Sequence, residues 1–202
     1  MHKLEFFFDC SSPWTFLAFE SLQQMLTRHP DLEVQYRPFL VGGVFNTVNP
    51  SVYASRENPV VPKQRYGKKD LQDWADYVGI KIIPASDLSV FPVNSVKAMR
   101  GAFVAIEEEC LVPYARRVFE RYWSEGADIS QEEELNGIIA HVGLDKFDFY
   151  DKINDQKYKD MLKDNTTEVI ERGGFGTPTM FLDGTDMYFG NDRFQLIEAK
   201  LK

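Results

Sequence analysis

The residues of this chain able to do chemistry gather in short segments near its two ends. The first is Asp9-Cys10-Ser11-Ser12-Pro13-Trp14-Thr15. It joins an aromatic run to a helical one. Cys10 and Cys110, the 2 cysteines of the chain, stand far apart, so neither a CxxC redox pair nor a zinc knuckle forms. Disulfide exchange needs an attacking thiolate, which a serine hydroxyl does not supply near neutral pH. Ser12 stands where a helix begins, and there free N–H groups and the helix dipole favour an anion. Its hydroxyl has two uses: to cap the helix, or to donate to a thiolate carried by a ligand. Cys10 and Cys110 are expected to be inert, packed thiols. The 3 histidines, His2, His29 and His141, show no metal-binding spacing, so no metal is expected.

The second segment is Gly174-Phe175-Gly176-Thr177-Pro178-Thr179. A proline between a glycine-rich loop and a strand suits a cis peptide, which the tertiary amide of X-Pro permits at low cost. Such a bond turns the N–H and C=O of Thr177 outward, ready to pair with an extended peptide. Shortly after comes Gly190-Asn191-Asp192-Arg193. There Asp192 is suited to an ammonium group and Asn191 to a carboxylate, although both also suit a plain helix cap.

These segments need elements to hold them. Residues 3–9 read as a strand, and Pro13 opens a helix with Trp14, Leu17, Ala18, Leu22 and Met25 at helical spacing. Pro30 ends that helix, and residues 32–39 read as a parallel strand, giving a right-handed βαβ unit. Residues 40–62 carry Gly42-Gly43, Asn49-Pro50 and Asn58-Pro59 and read as loop. From 63 to 155 the periodicity is helical throughout. A helix over 157–171 ends at Gly173-Gly174. Strands at 177–182 and 186–189 flank the Asp183-Gly184 hairpin signal, and a helix closes the chain over 192–201. The order β-α-β, helical block, α-β-β-α is an α/β thioredoxin-like fold: residues 1–62 and 156–202 form that domain and 63–155 an all-helical insertion. In such a fold the redox CPxC frame falls on Ser12-Pro13-Trp14-Thr15, so both sulfurs are replaced.

Composition narrows the partners. Among 202 residues, 31 Asp and Glu outweigh 23 Lys and Arg, giving a net charge of −8 and a pI near 5.0. That balance argues against a protein that coats nucleic acid. No apolar run approaches the ~20 residues that span a bilayer, and no signal peptide is evident. A cytoplasmic protein with no membrane partner is expected.

Taken together, FFFDCSSPW with TFLAFE, GGFGTPTMF and YFGNDRFQLIE resemble the family of 2-hydroxychromene-2-carboxylate isomerases and kappa-class glutathione transferases, a DsbA-like branch of the thioredoxin superfamily. YRPFLVGGVFNTVNP, PKQRYGKKDLQDWADYVGI and FPVNSVKAMRGA extend the resemblance over residues 4–200. It implies glutathione as cofactor, an aromatic or electrophilic substrate and a homodimer. It places the catalytic serine at Ser12. Glutathione contacts fall on Ser12, Trp14, Asn49 (or Asn46), Thr177, Pro178, Asn191, Asp192 and Arg193. The acceptor pocket falls on Lys63 and Tyr66, with Phe39, Trp14, Phe45 and Tyr53 as aromatic walls. Lys63 or Arg193 would offset a substrate carboxylate. The implied reaction opens the chromene ring and isomerises the resulting aromatic pyruvate through a transient glutathione adduct. Alternatives are transferase or peroxidase activity on other electrophiles, a thiol–disulfide reaction at Cys10, or a non-catalytic binding module. Cys10-Ser11 stands where relatives often carry two apolar residues, and Thr177 is more polar than the aliphatic residue frequent there.

Overall fold

A computed structural model describes residues 2–201. Strand β1 (Lys3–Phe8) runs parallel to β2 (Glu33–Pro38) and antiparallel to β3 (Thr179–Leu182), which pairs with β4 (Asp186–Phe189). The sheet order is β2-β1-β3-β4, so β1 lies inside and its side chains alternate between two cores. Leu4, Phe6 and Phe8 enter the larger core, whereas Phe7 enters a smaller one with Phe39, Val41, Val44, Val169 and Phe181. Beside the smaller core, Glu5 receives Arg37 and Arg172, at 3.1 and 2.6 Å. Pairing of this kind keeps a mostly buried carboxylate from standing uncompensated.

Helix α1 (Pro13–Arg28) connects β1 to β2 and buries Phe16, Leu17, Phe19, Leu22 and Met25. Phe16 stacks on Phe119, with ring centroids 5.0 Å apart. The helical segment contains α4 (Val61–Val78), α5 (Val96–Glu107), α6 (Leu111–Phe119), α7 (Glu132–His141) and α8 (Lys146–Asn154). It shares one continuous core with β1 and α1. Helix α9 (Gln156–Glu171) then returns to the sheet. Among the described residues no helix is long and apolar enough to cross a membrane.

Residues 40–62 are not a loop. They form α2 (Val41–Val48), α3 (Ser51–Glu57) and the start of α4. Pro50 caps α3 and Pro62 lies in the first turn of α4, where no N–H is needed, and Asn58-Pro59 forms the short link between the two helices. Gly43 permits close approach to α9, because a Cβ there would stand 2.9 Å from Thr166 Cγ2. The Thr166 hydroxyl accepts from the Leu40 N–H at 3.0 Å and fixes the entry to α2. The last helix, α10, is shorter than expected and covers Phe194–Glu198.

Candidate active site

The C-terminal end of β1, the first turn of α1 and the loop before β3 meet at one cleft of about 670 Å³. Ser12 is the N-cap of α1, in extended backbone, followed by Pro13. Its carbonyl accepts from the N–H groups of Thr15 and Phe16, both at 3.2 Å. Its hydroxyl accepts from Thr15 N only at 3.4 Å, a long bond that leaves the oxygen weakly engaged. Ser12 is half-buried and lines the cleft, as do Ser11, Pro13 and Trp14.

Thr177 faces this turn. The Thr177-Pro178 peptide is cis. The Thr177 hydroxyl lies 2.8 Å from that of Thr15 and accepts from Asp9 N at 3.2 Å. Among the described residues, its backbone N–H and C=O make no hydrogen bond. Both groups therefore stand at the cleft with their bonding capacity unspent. Asn49 Nδ2 donates to Phe175 O at 3.0 Å and ties the end of α2 to the same loop. Asn46 instead accepts from the Tyr53 hydroxyl at 2.9 Å. Asn49 lines the cleft. A Cβ on Gly176 would stand 2.8 Å from the Phe189 ring, so only glycine lets the loop lie this close to β4.

Asp9 lies beneath the cleft with its carboxyl buried. One oxygen accepts from Ser11 N and the other from Val41 N, each at 2.9 Å. Burial pushes its pKa above the ordinary carboxylate value, and the N–H partners only partly offset this. Cys10 is buried between Met99 and Trp123: its N–H meets Met99 Sδ at 3.4 Å and its carbonyl receives Trp123 Nε1 at 2.9 Å. Burial, then the neighbouring Asp9 charge, raise its thiol well above the ordinary range. A thiol so placed is a poor nucleophile.

The remaining sequence-derived residues are not all brought to the cleft. Asn191, Asp192 and Arg193 follow β4 and lie beside Pro178, whose carbonyl accepts from Gly190 N at 3.2 Å. They stand outside the cleft lining. Asp192 and Arg193 pair with each other at 3.2 Å, while Asn191 is buried with its Nδ2 unpartnered. Phe39 is a correction to the expected pocket. It is fully buried in the smaller core, because its ring packs edge-on against Phe7. Lys63 and Tyr66 are exposed on α4 and do not line the cleft. Tyr66 borders a separate depression with Pro62, Arg65 and Lys69.

The opposite wall comes from residues 40–62 and from Phe91–Val96. Phe45, Tyr53 and Phe91 line it with Arg56. Arg56 was missed by sequence reading because the segment that carries it reads as loop. Tyr53 stands three residues before it, whereas Phe45 and Phe91 reach it only through the fold.

A βαβ unit, a helical segment, an antiparallel hairpin and a cis-proline loop facing a helix N-terminus define a class of protein. The chain belongs to the DSBA-like thioredoxin domain family, whose model matches residues 3–202. Within that class it is 30% identical over 200 residues to 2-hydroxychromene-2-carboxylate isomerase of Pseudomonas putida, covering 98% of this chain and 93% of that protein. It is 26% identical over 212 residues to glutathione S-transferase kappa 1 of Caenorhabditis elegans, covering 99% and 91%. A solved structure of 2-hydroxychromene-2-carboxylate isomerase superposes with a TM-score of 0.80 at 27% identity, covering 98% of this chain and 94% of that one. Relatives of this kind make the chain an enzyme of the isomerase and kappa transferase family.

Proposed function

We propose that this protein is a glutathione-dependent isomerase acting on an aromatic pyruvate of the 2-hydroxychromene-2-carboxylate type. The observation that carries the reading is a helix N-terminus with Ser12 in place of a redox cysteine, facing the unpaired backbone of Thr177. The residues present fit glutathione. The Thr177 N–H and C=O suit an extended peptide, and the orphaned Asn191 amide lies beside the same loop. When bound, glutathione supplies a thiolate that adds reversibly to a conjugated double bond, so that the bond can rotate before the sulfur leaves.

The chain's own residues prepare that chemistry. Ser12 donates its O–H toward the sulfur, and the dipole of α1 adds partial positive charge at its N-terminus. Of the first-turn amides only Trp14 N is left without a partner among the described residues, since Pro13 has no N–H and Thr15 and Phe16 donate to Ser12; with the helix dipole it favours the thiolate over a thiol whose ordinary pKa is ~8.5. Thr15 and Asp9 N hold the Thr177 side chain, which fixes the peptide-binding backbone. Trp14 and the aromatic wall offer apolar contact to the acceptor. A homodimer and a cytoplasmic location accompany the same reading.

Calorimetric titration with glutathione, followed by turnover of 2-hydroxychromene-2-carboxylate, tests it. Binding and turnover are expected. Absence of glutathione binding overturns the reading. Glutathione binding with turnover only of halo-aromatic or peroxide acceptors replaces the isomerase with a kappa-type transferase, the activity named for several relatives.

A further inference from the structure

Arg56 is the one Lys or Arg among the residues lining the cleft. Among the described residues it makes no ion pair and no hydrogen bond, in a chain whose other arginines are largely paired. Its guanidinium carbon lies 5.4 Å from the ring centroid of Phe91, 5.7 Å from that of Phe45 and 6.0 Å from that of Tyr53. Phe45 and Tyr53 meet edge to face at 6.2 Å, so the rings form a frame around the cation. Asp9, the one acidic residue lining the cleft, has both carboxylate oxygens committed to backbone N–H groups. Among the described residues none therefore neutralises Arg56. A guanidinium held by ring faces keeps its N–H donors unspent, and a carboxylate matches their planar fork.

We propose that Arg56 is the carboxylate receptor of the cleft and takes the acid group of an aromatic acceptor whose flat conjugated body lies against Phe45, Tyr53 and Phe91. This rests on the reading of the cleft as an acceptor site. The acceptor is the source of the carboxylate, rather than glutathione. The peptide-binding groups lie on the Thr177 wall, and the ring frame suits a planar anion. Arg56 thus takes the part that the sequence resemblance gave to Lys63 or Arg193, both of which lie outside the cleft.

Cinnamate and cinnamamide, an anion and a neutral molecule of one shape, test this by calorimetry on the full chain, with and without glutathione. The wild type is expected to prefer cinnamate. Arg56→Gln lowers cinnamate affinity about 10- to 100-fold, the range of a hydrogen bond to a charged group, and moves cinnamamide by less than about 2-fold. Arg56→Lys falls between, because an ammonium lacks the planar fork. Equal losses for both probes overturn the proposal, as does unchanged cinnamate affinity. Lost glutathione affinity with cinnamate binding intact also overturns it, by reassigning Arg56 to the tripeptide. A wild type that discriminates between the probes through Arg56 but never binds glutathione removes the glutathione reading and upholds Arg56.

Discussion

The two walls of the cleft are built on opposite plans. The wall of Ser12, Thr15 and Thr177 is polar and hydrogen-bonded, with Thr15 and Thr177 buried and joined at 2.8 Å. The wall of Phe45, Tyr53, Arg56 and Phe91 is partly exposed and apolar, and its one charge is held by ring faces alone. Fixed hydrogen bonds suit a ligand that is the same in every turnover. Apolar contact with a single unpaired cation suits a family of flat acids, because ring faces tolerate changes of shape that hydrogen bonds do not. On the proposed reading the constant ligand lies against Ser12 and Thr177, and the variable acid lies against α2, α3 and Phe91.

The comparison can be broken by substitution. The largest expected effect is Ser12→Ala, which on the proposed mechanism removes the donor to the glutathione sulfur. Turnover should fall about 10²- to 10³-fold with glutathione still bound, as measured by steady-state kinetics and calorimetry. Unchanged turnover would strip Ser12 of its role. Next, Arg56→Gln should reduce use of the acid substrate about 10- to 100-fold and spare its methyl ester. Third, Thr177→Val leaves Asp9 N without its acceptor and should cost about 1–3 kcal/mol of stability, read from denaturant unfolding. Fourth, Asp9→Asn separates pH from geometry. Because the folded-state pKa of Asp9 is raised, its protonated form favours folding at acid pH, and that contribution is lost as pH rises through the folded value. The stability of the wild type relative to Asp9→Asn should therefore decline from about pH 4 upward. A difference that grows with pH would refute the sign. The smallest effect on activity is expected for Cys10→Ala: stability drops by about 1 kcal/mol from lost packing, and turnover stays within experimental error.

Much of the polar wall was legible in the sequence. Pro13 behind Ser12 marks a helix start, and Thr177-Pro178 after a glycine-rich loop marks the turn that faces it. The strands were legible too, because the aromatic run at 6–8 and the Asp183-Gly184 turn are local signals, with both turn residues at positive φ (51° and 82°). The apolar wall was not. Val41, Val44 and Phe45 sit at helical spacing, yet Gly42-Gly43 and the Asn-Pro pairs argue locally for loop. Docking against α9 outweighs them, through Gly43 beside Thr166 and the Leu40 N–H held by the Thr166 hydroxyl. That docking is tertiary and cannot be read from the segment's own residues. Phe39 shows the converse. An aromatic residue next to the site is suggestive in sequence, but the alternation of β1 sends its neighbour Phe7 to the far face, and Phe39 goes there with it.

The Thr177 hydroxyl is bonded to Asp9 across 168 residues and to Thr15 across 162. The site is thus among the most nonlocal contacts of the molecule, and closing such distances is slow. During synthesis β1 and α1 precede the partner that completes their polar turn by more than 160 residues. The helical segment is synthesised in between. Assembly of the centre is a late event in the history of each molecule, and a chain halted before residue 177 carries the serine without the surface it serves.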